Sequence, residues 1–250
     1  IIDRMPTVDE LANTEIEQFI EGGTTIFTGI GIKSLEKFKA RADLVKSQNP
    51  EPYLTEPIAL PDSERELFFD IEVDPMQDFC YLHGFVERSN RDNSTERYVA
   101  FYATDLSNAA EEKAFADALN YIRQNQPCTI YYYSKYERTT WRKLQLKYPD
   151  ACTAGDIETL FDPLNSIDLL EVVRKYTEWP PRDHSIKTLA QYLKFKWRDT
   201  DPSGAASIEW FQRWSENKDQ KIKQRILQYN EDDCLATRVL LDKIKKLKVI

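Results

Sequence analysis

No two cysteines in this chain stand at a C-x-x-C spacing. Cys80, Cys128, Cys152 and Cys234 are scattered singly, so no C-x-x-C pair supports a zinc ribbon or an iron–sulfur cluster. Isolated cysteines suit a reducing compartment, and the expected location is cytoplasmic. Histidine is nearly missing as well. His83 falls in a strand-like run and His184 in a Pro/Arg-rich loop. Neither has a serine or cysteine partner in a recognisable motif, so a structural or surface role is expected for each. No apolar run approaches the length of a membrane span, and no membrane partner is expected. Ile1-Ile2-Asp3-Arg4 lacks the shape of a signal peptide. It also lacks an initiator methionine, and the expectation is a piece of a longer protein. A surplus of positive charge is missing too: the net charge is -8. That balance speaks against a protein that merely coats nucleic acid. It leaves room for an enzyme that gathers carboxylates around metal ions and keeps lysines and arginines at the rim of its cleft.

What is present is enough for a folded domain. The 250 residues are 41% hydrophobic and 12% aromatic, which excludes general disorder. The length suits one large domain or two small ones, with a core that needs no staples. There is no internal repeat and no low-complexity tract.

Residues 1–45 read as helical. One helical pattern covers 7–20 and stops at Gly22-Gly23; a second begins near Ser34. Residues 46–65 hold Pro50, Pro52, Pro57 and Pro61 and read as a linker. From Glu66 the pattern turns to strands. Leu67-Phe68-Phe69-Asp70-Ile71-Glu72-Val73 is strongly β-prone and ends at Asp74-Pro75. Residues 79–87 and 97–103 follow as strands, with the polar stretch 88–96 as the turn between them. A helix is predicted over 108–123 and a fourth strand over 128–133. Ser134 is placed to cap a helix running to Leu146. Further helices fit 167–176, 186–193, 207–214 and 221–246. The order suits an α/β mixed sheet flanked by helices, with 66–250 as the main domain.

Three acidic features stand out. Asp70 and Glu72 are two apart on a strand, so both point to one face. Two acids on one side of a buried strand are costly unless compensated, and metal ions are a natural compensation. The alternative is an edge strand whose acids face water; the flanking Leu67, Phe68, Phe69 and Ile71 speak against it. In Tyr229-Asn230-Glu231-Asp232-Asp233, Tyr229 and Asp233 lie one helical turn apart. A hydroxyl and a carboxylate side by side could position a water on a metal; the alternative is a solvated acidic face. Glu137 follows Tyr136 where a strand ends and a helix begins, the place where ligand groups gather in α/β sheets. Its alternative role is to complement the helix dipole.

Together these features resemble the DEDD exonuclease superfamily, tyrosine subclass. Asp70-Ile71-Glu72 matches its first motif, and Tyr229 with Asp233 matches its third, in the right order. The segments YYYSKYE, IDLLEVVRKY, SIKTLAQYLKFKW and YNEDDCLATRVLL are most similar to the YprB-type RNase H-like nuclease domain, found C-terminal to RecB-family nuclease domains. The resemblance covers about residues 66–248. It implies an RNase H-like α/β fold: a mixed five-stranded sheet flanked by helices, after the small N-terminal helical segment. It implies a two-metal-ion 3′–5′ exonuclease using Mg2+ or Mn2+. Asp70 would bridge both ions. Glu72 and Asp233 would hold the ion carrying the attacking water, with Tyr229 orienting that water. Glu137 would support the second ion. The implied partner is nucleic acid, single-stranded DNA ahead of RNA, with fusion to a RecB-family nuclease or a helicase module. One departure stands: the superfamily has aspartate where Glu137 sits, and Tyr133 replaces its asparagine. Asp168 is the reserve acid, with a helix N-cap as its favoured role. The alternative function is a catalytically inactive RNase H-like module that binds nucleic acid or a protein.

Gly29-Ile30-Gly31 between two short helices resembles a helix-hairpin-helix, which offers backbone N–H groups to a DNA phosphate. Gly29, Gly31, Lys33 and Lys37 are its candidate contacts; a small helical packing unit is the equal alternative. Trp197, Trp210, Phe211 and Trp214 are expected in the core rather than stacked on bases.

Overall fold

The computed structural model describes residues 5, 7–200 and 203–250. Residues 1–4, read as lacking the shape of a signal peptide, lie outside them. Helix α1 (Val8–Ala12) is closed by a capping box in which Thr7 and Glu10 satisfy each other's backbone N–H. The helix predicted over 7–20 ends at Ala12, with Asn13 as its C-cap. A single 3-10 turn (Ile16–Phe19) follows, then β1 (Ile20–Glu21) and β2 (Thr24–Thr25). Gly22 and Gly23 have φ of +57° and +80° and form the two-residue turn of this small hairpin. Helix α2 (Ile32–Lys46) completes the segment around a core of Met5, Ile16, Phe27 and Leu35.

The proline-rich stretch is tied to the rest of the chain. Strand β3 (Tyr53–Leu54) lies in it, and Leu54 N donates to Lys248 O at 2.8 Å. Backbone pairing needs no side-chain period, which is why the sequence reads as a linker there.

The main sheet begins with β4 (Arg65–Asp74) and β5 (Phe79–Ser89). Next comes β6 (Asp92–Tyr102), joined to β5 by Asn90-Arg91 with φ of 51° and 57°. The strands thus run through most of the polar stretch read as a turn. An edge strand with a wet face has no need of apolar residues at its tip. Helix α3 (Asn108–Gln124), β7 (Thr129–Tyr132), α4 (Tyr136–Lys147) and α5 (Ala154–Leu160) follow. Then come β8 (Ser166–Asp168), α6 (Leu169–Tyr176) and β9 (Thr177–Glu178), which pairs with β3. Helices α7 (Ile186–Tyr192), α8 (Gly204–Asn217) and α9 (Gln220–Ile244) close the order.

The five-stranded sheet has the order β6-β5-β4-β7-β8. The first three strands are antiparallel; β7 and β8 run parallel to β4. Alternation along β4 sorts its side chains. Leu67, Phe69 and Ile71 join Phe115, Trp141 and Leu144 of α3 and α4 on one face. Phe68 joins Val173, Leu189 and Leu241 on the other. Asp70 and Glu72 share Phe68's parity, so they face the layer built from α7, α8 and α9. Among the described residues no helix is long and apolar enough to cross a membrane.

Candidate active site

Asp70 and Glu72 lie on the central strand, two residues apart on one face. Helix α9 crosses that face and presents Tyr229, Asn230 and Asp233, all buried. The close approach depends on one residue. Gly84 of β5 stands directly across from Asp70, and a Cβ there would fall 1.6 Å from Asn230 Oδ1. A side chain at 84 would displace the Asn230 amide from its place over the sheet.

In the room left by Gly84, Tyr98 Oη donates to Asn230 Oδ1 at 2.8 Å, and Asn230 Nδ2 donates to Asp70 Oδ2 at 2.7 Å. The amide is thereby fixed in one orientation and pins the Asp70 carboxylate. On the neighbouring residue pair, Tyr81 Oη lies 3.4 Å from Glu72 Oε2 and 2.8 Å from Ser207 Oγ. The register of β4 on β5 slips between Glu72 and Val73. Such bulges re-aim side chains beside functional sites.

Asp70, Glu72 and Asp233 each offer a carboxylate oxygen, and these oxygens lie within 4.8 Å of one another. Asp233 Oδ1 also accepts from Trp197 Nε1 at 2.7 Å. Glu137, in the first turn of α4, is 3% exposed, and its Oε2 has no hydrogen-bond partner. Its charge acts on Asp70, and Asp233 acts on it in turn. The structure thus brings Asp70, Glu72 and Asp233 into one cluster with Glu137 beside it. Asp168 instead caps α6: its Oδ1 accepts from Leu170 N at 2.9 Å and from Ser134 N at 3.0 Å.

Electrostatically the cluster is overcharged. Burial holds the Asp70 carboxyl well above the usual carboxylate range, and Asp233, Glu72 and Glu137 push it further. Burial, then Asp233, raises Glu72 to about 8. Burial raises Asp233 to about 6, against the opposing effect of Lys187 and the Trp197 and Tyr229 hydrogen bonds. Burial likewise lifts Glu137 well above its ordinary value. Burial and the charge of Asp233 raise the Tyr229 phenol, so it stays neutral and able to donate.

Oxygen-only donors, a shared negative charge and an orphaned buried carboxylate oxygen fit hard divalent cations such as magnesium or manganese. Asp70, Glu72, Glu137 and Asp233 would hold them.

Several members of the site escaped the sequence reading. Asn230 and Gly84 were not singled out. A lone glycine inside a strand of bulky residues signals a close backbone approach and could have pointed to 84. Lys187, three residues beyond His184, donates from its Nζ to Tyr229 Oη at 3.0 Å. Trp197 was expected in the core. It is buried with Trp210, Phe211 and Trp214, and it also holds Asp233. His83 is fully buried; Trp141 Nε1 donates to its Nδ1 at 3.1 Å, and burial lowers its pKa to about 3. His184 is half-buried, and its carbonyl accepts from Tyr133 Oη. Gly31 is the N-cap of α2, Gly29 stands two residues before it with φ of +77°, and neither belongs to the carboxylate cluster. Lys33, also in α2, is exposed. Lys37 donates to Arg174 O at 3.0 Å and lies 3.2 Å from Glu178, tying α2 to the main domain.

A comparison with curated proteins finds no match. Residues 67–245 match a family model described as the RNase H superfamily. With its mixed five-stranded sheet and acidic cluster, the chain belongs to the RNase H superfamily, which suggests a nuclease-type hydrolase that acts on nucleic acid with divalent metal.

Proposed function

We propose that this protein is a two-metal-ion exonuclease that removes nucleotides from the 3′ end of single-stranded DNA. The observation that carries this reading is the convergence of Asp70, Glu72 and Asp233, with oxygens within 4.8 Å, beside the unpartnered Oε2 of Glu137. When bound, magnesium or manganese neutralises the phosphate and lowers the pKa of water. Asp70, Glu72, Glu137 and Asp233 supply the oxygen ligands. Asn230 keeps Asp70 in one orientation, and Trp197 does the same for Asp233. The neutral Tyr229 phenol beside Asp233 donates a hydrogen bond to the attacking water. The spacing of Tyr229 and Asp233 supports the tyrosine-subclass assignment, and with it the 3′ polarity. Gly29, Gly31 and Lys33 at the start of α2 give the strand a second backbone contact. The same reading places the chain in the cytoplasm, joined to a RecB-family nuclease or a helicase module.

Digestion of 3′- and 5′-labelled single-stranded DNA and RNA, with magnesium or manganese, tests this. The expected result is stepwise shortening from the 3′ end, abolished by EDTA and by Asp70→Asn or Asp233→Asn. Equal cleavage by those variants would overturn the proposal.

A further inference from the structure

The carboxylate cluster holds more negative charge than its neutral neighbours can offset, and one lysine answers it. Lys187 is the second residue of α7, a helix anchored by the fully buried Leu189 and Ala190. Its Nζ lies 3.0 Å from Tyr229 Oη and 5.0 Å from the centroid of that ring. The same charge acts on Asp70, Glu72 and Asp233 together. An ammonium group only donates. The Tyr229 oxygen must therefore accept from Lys187, and its own proton is left to point away from the ammonium. Reversing that polarity would require the phenol to point its proton at a cation.

We infer that Lys187 is the resident cation of this site: it sets the direction of the Tyr229 hydroxyl and competes electrostatically with incoming divalent ions. The inference rests on the nuclease reading above and adds a positioning residue to it. Lys187 holds the phenol as a donor for the attacking water beside Asp233. The same positive charge weakens cation binding. A site built this way gives up affinity for its metal in exchange for an oriented tyrosine. A lysine that merely packed α7 against α9 would do neither.

The two roles predict opposite changes, which a packing role would not produce. Manganese binding to the intact chain, without nucleic acid, is measured by calorimetry for the wild type, Lys187→Gln, Lys187→Met and Lys187→Arg. Removing a like charge near the site should tighten binding by about three- to tenfold in Lys187→Gln and Lys187→Met. Cleavage at saturating manganese should fall by about 10- to 100-fold in the same two variants. Lys187→Arg keeps the charge and should bind manganese as the wild type does, while recovering part of the rate. Two neutral variants guard against one that fails to fold. Neutral variants that bind manganese no more tightly than the wild type, or cleave as fast, would overturn the inference. A wild-type chain that binds manganese yet cleaves nothing sinks the nuclease reading alone, since the affinity comparison still judges Lys187.

Discussion

Strand β4 carries two buried charge clusters built on opposite rules. At its start, Glu66 accepts from Arg88 Nε at 2.8 Å, from Arg88 Nη2 at 2.6 Å and from Lys245 Nζ at 2.7 Å. Arg88, 1% exposed, goes on to Asp242 at 2.9 Å and Asn93 at 2.8 Å. Each carboxylate there meets a cation. Further along, Asp70 and Glu72 meet Asp233 and Glu137 instead, with Lys187 offsetting part of the repulsion. A buried ion network is tolerable when every charge is answered. A buried cluster of like charges is tolerable only when protons or cations offset it. The first cluster is a closed structural joint; the second gathers carboxylate oxygens within 4.8 Å of one another, with no such set of cations around them among the described residues.

Breaking each cluster should separate these roles. Asp70→Asn or Asp233→Asn should cost cleavage roughly a thousandfold. Because each removes a repelling charge, the metal-free chain should melt higher than the wild type, as differential scanning fluorimetry would read. A lower melting temperature would mean that the carboxylates stabilise the fold by themselves. Arg88→Met strips a cation from the other cluster and leaves Glu66 and Asp242 under-compensated. Stability should fall by about 3–5 kcal/mol in urea titration. Manganese affinity of the folded fraction should stay at the wild-type value, and a loss there would join the two clusters functionally.

Gly84→Ala probes the helix approach that makes the second cluster possible. Its Cβ overlaps Asn230 Oδ1, so the Asn230 amide that pins Asp70, or the helix carrying it, must shift. Cleavage should drop by about 10- to 100-fold, with a stability loss of about 1–3 kcal/mol. Gly155→Ala in α5 is the matched control. The nearest atom is Thr153 Oγ1 at 3.6 Å, an ordinary contact. It should stabilise by about 0.5 kcal/mol and leave cleavage unchanged.

The second cluster also dictates a pH dependence. Glu72 has a folded pKa of about 8 against an ordinary 4.5, and Asp233 about 6 against 3.8. Folded-state protonation is therefore favoured, and the stability it brings is complete below the ordinary values. That stability is lost as pH rises through the folded ones. Without metal, the melting temperature should fall between about pH 5 and about pH 8. Saturating manganese should raise it more at the upper end, because bound cations replace the protons. A flat profile would remove the charge surplus from the account.

Much of the fold was legible because it follows one-dimensional patterns. The runs around Phe68, Tyr81 and Phe115 carry clear two- or 3.6-residue periods, and the strands and helix appear where those periods place them. Strand β8 was folded into the helix expected over 167–176, since three residues are too few for a period. Helix α5 escaped because Ile157 is its one buried residue, which leaves no apolar period to read. The hairpin at Gly22-Gly23 looked like a helix stop, because glycine breaks a helix and turns a hairpin with the same positive φ. In the site, Asp70 with Glu72 and Tyr229 with Asp233 announced themselves by spacing. Glu137 stood out by its position at a strand end.

The sequence by itself determined which side chains share a face, because that depends only on the repeat of a strand or a helix. It also supplied the acids and the tyrosine. Only the tertiary structure decided that α9 lies close enough to β4 for those acids to meet. The space above Gly84, the Tyr98–Asn230–Asp70 chain and the reach of Lys187 to Tyr229 all join residues far apart in the chain. Such contacts depend on the distance between packed layers, which no local period encodes.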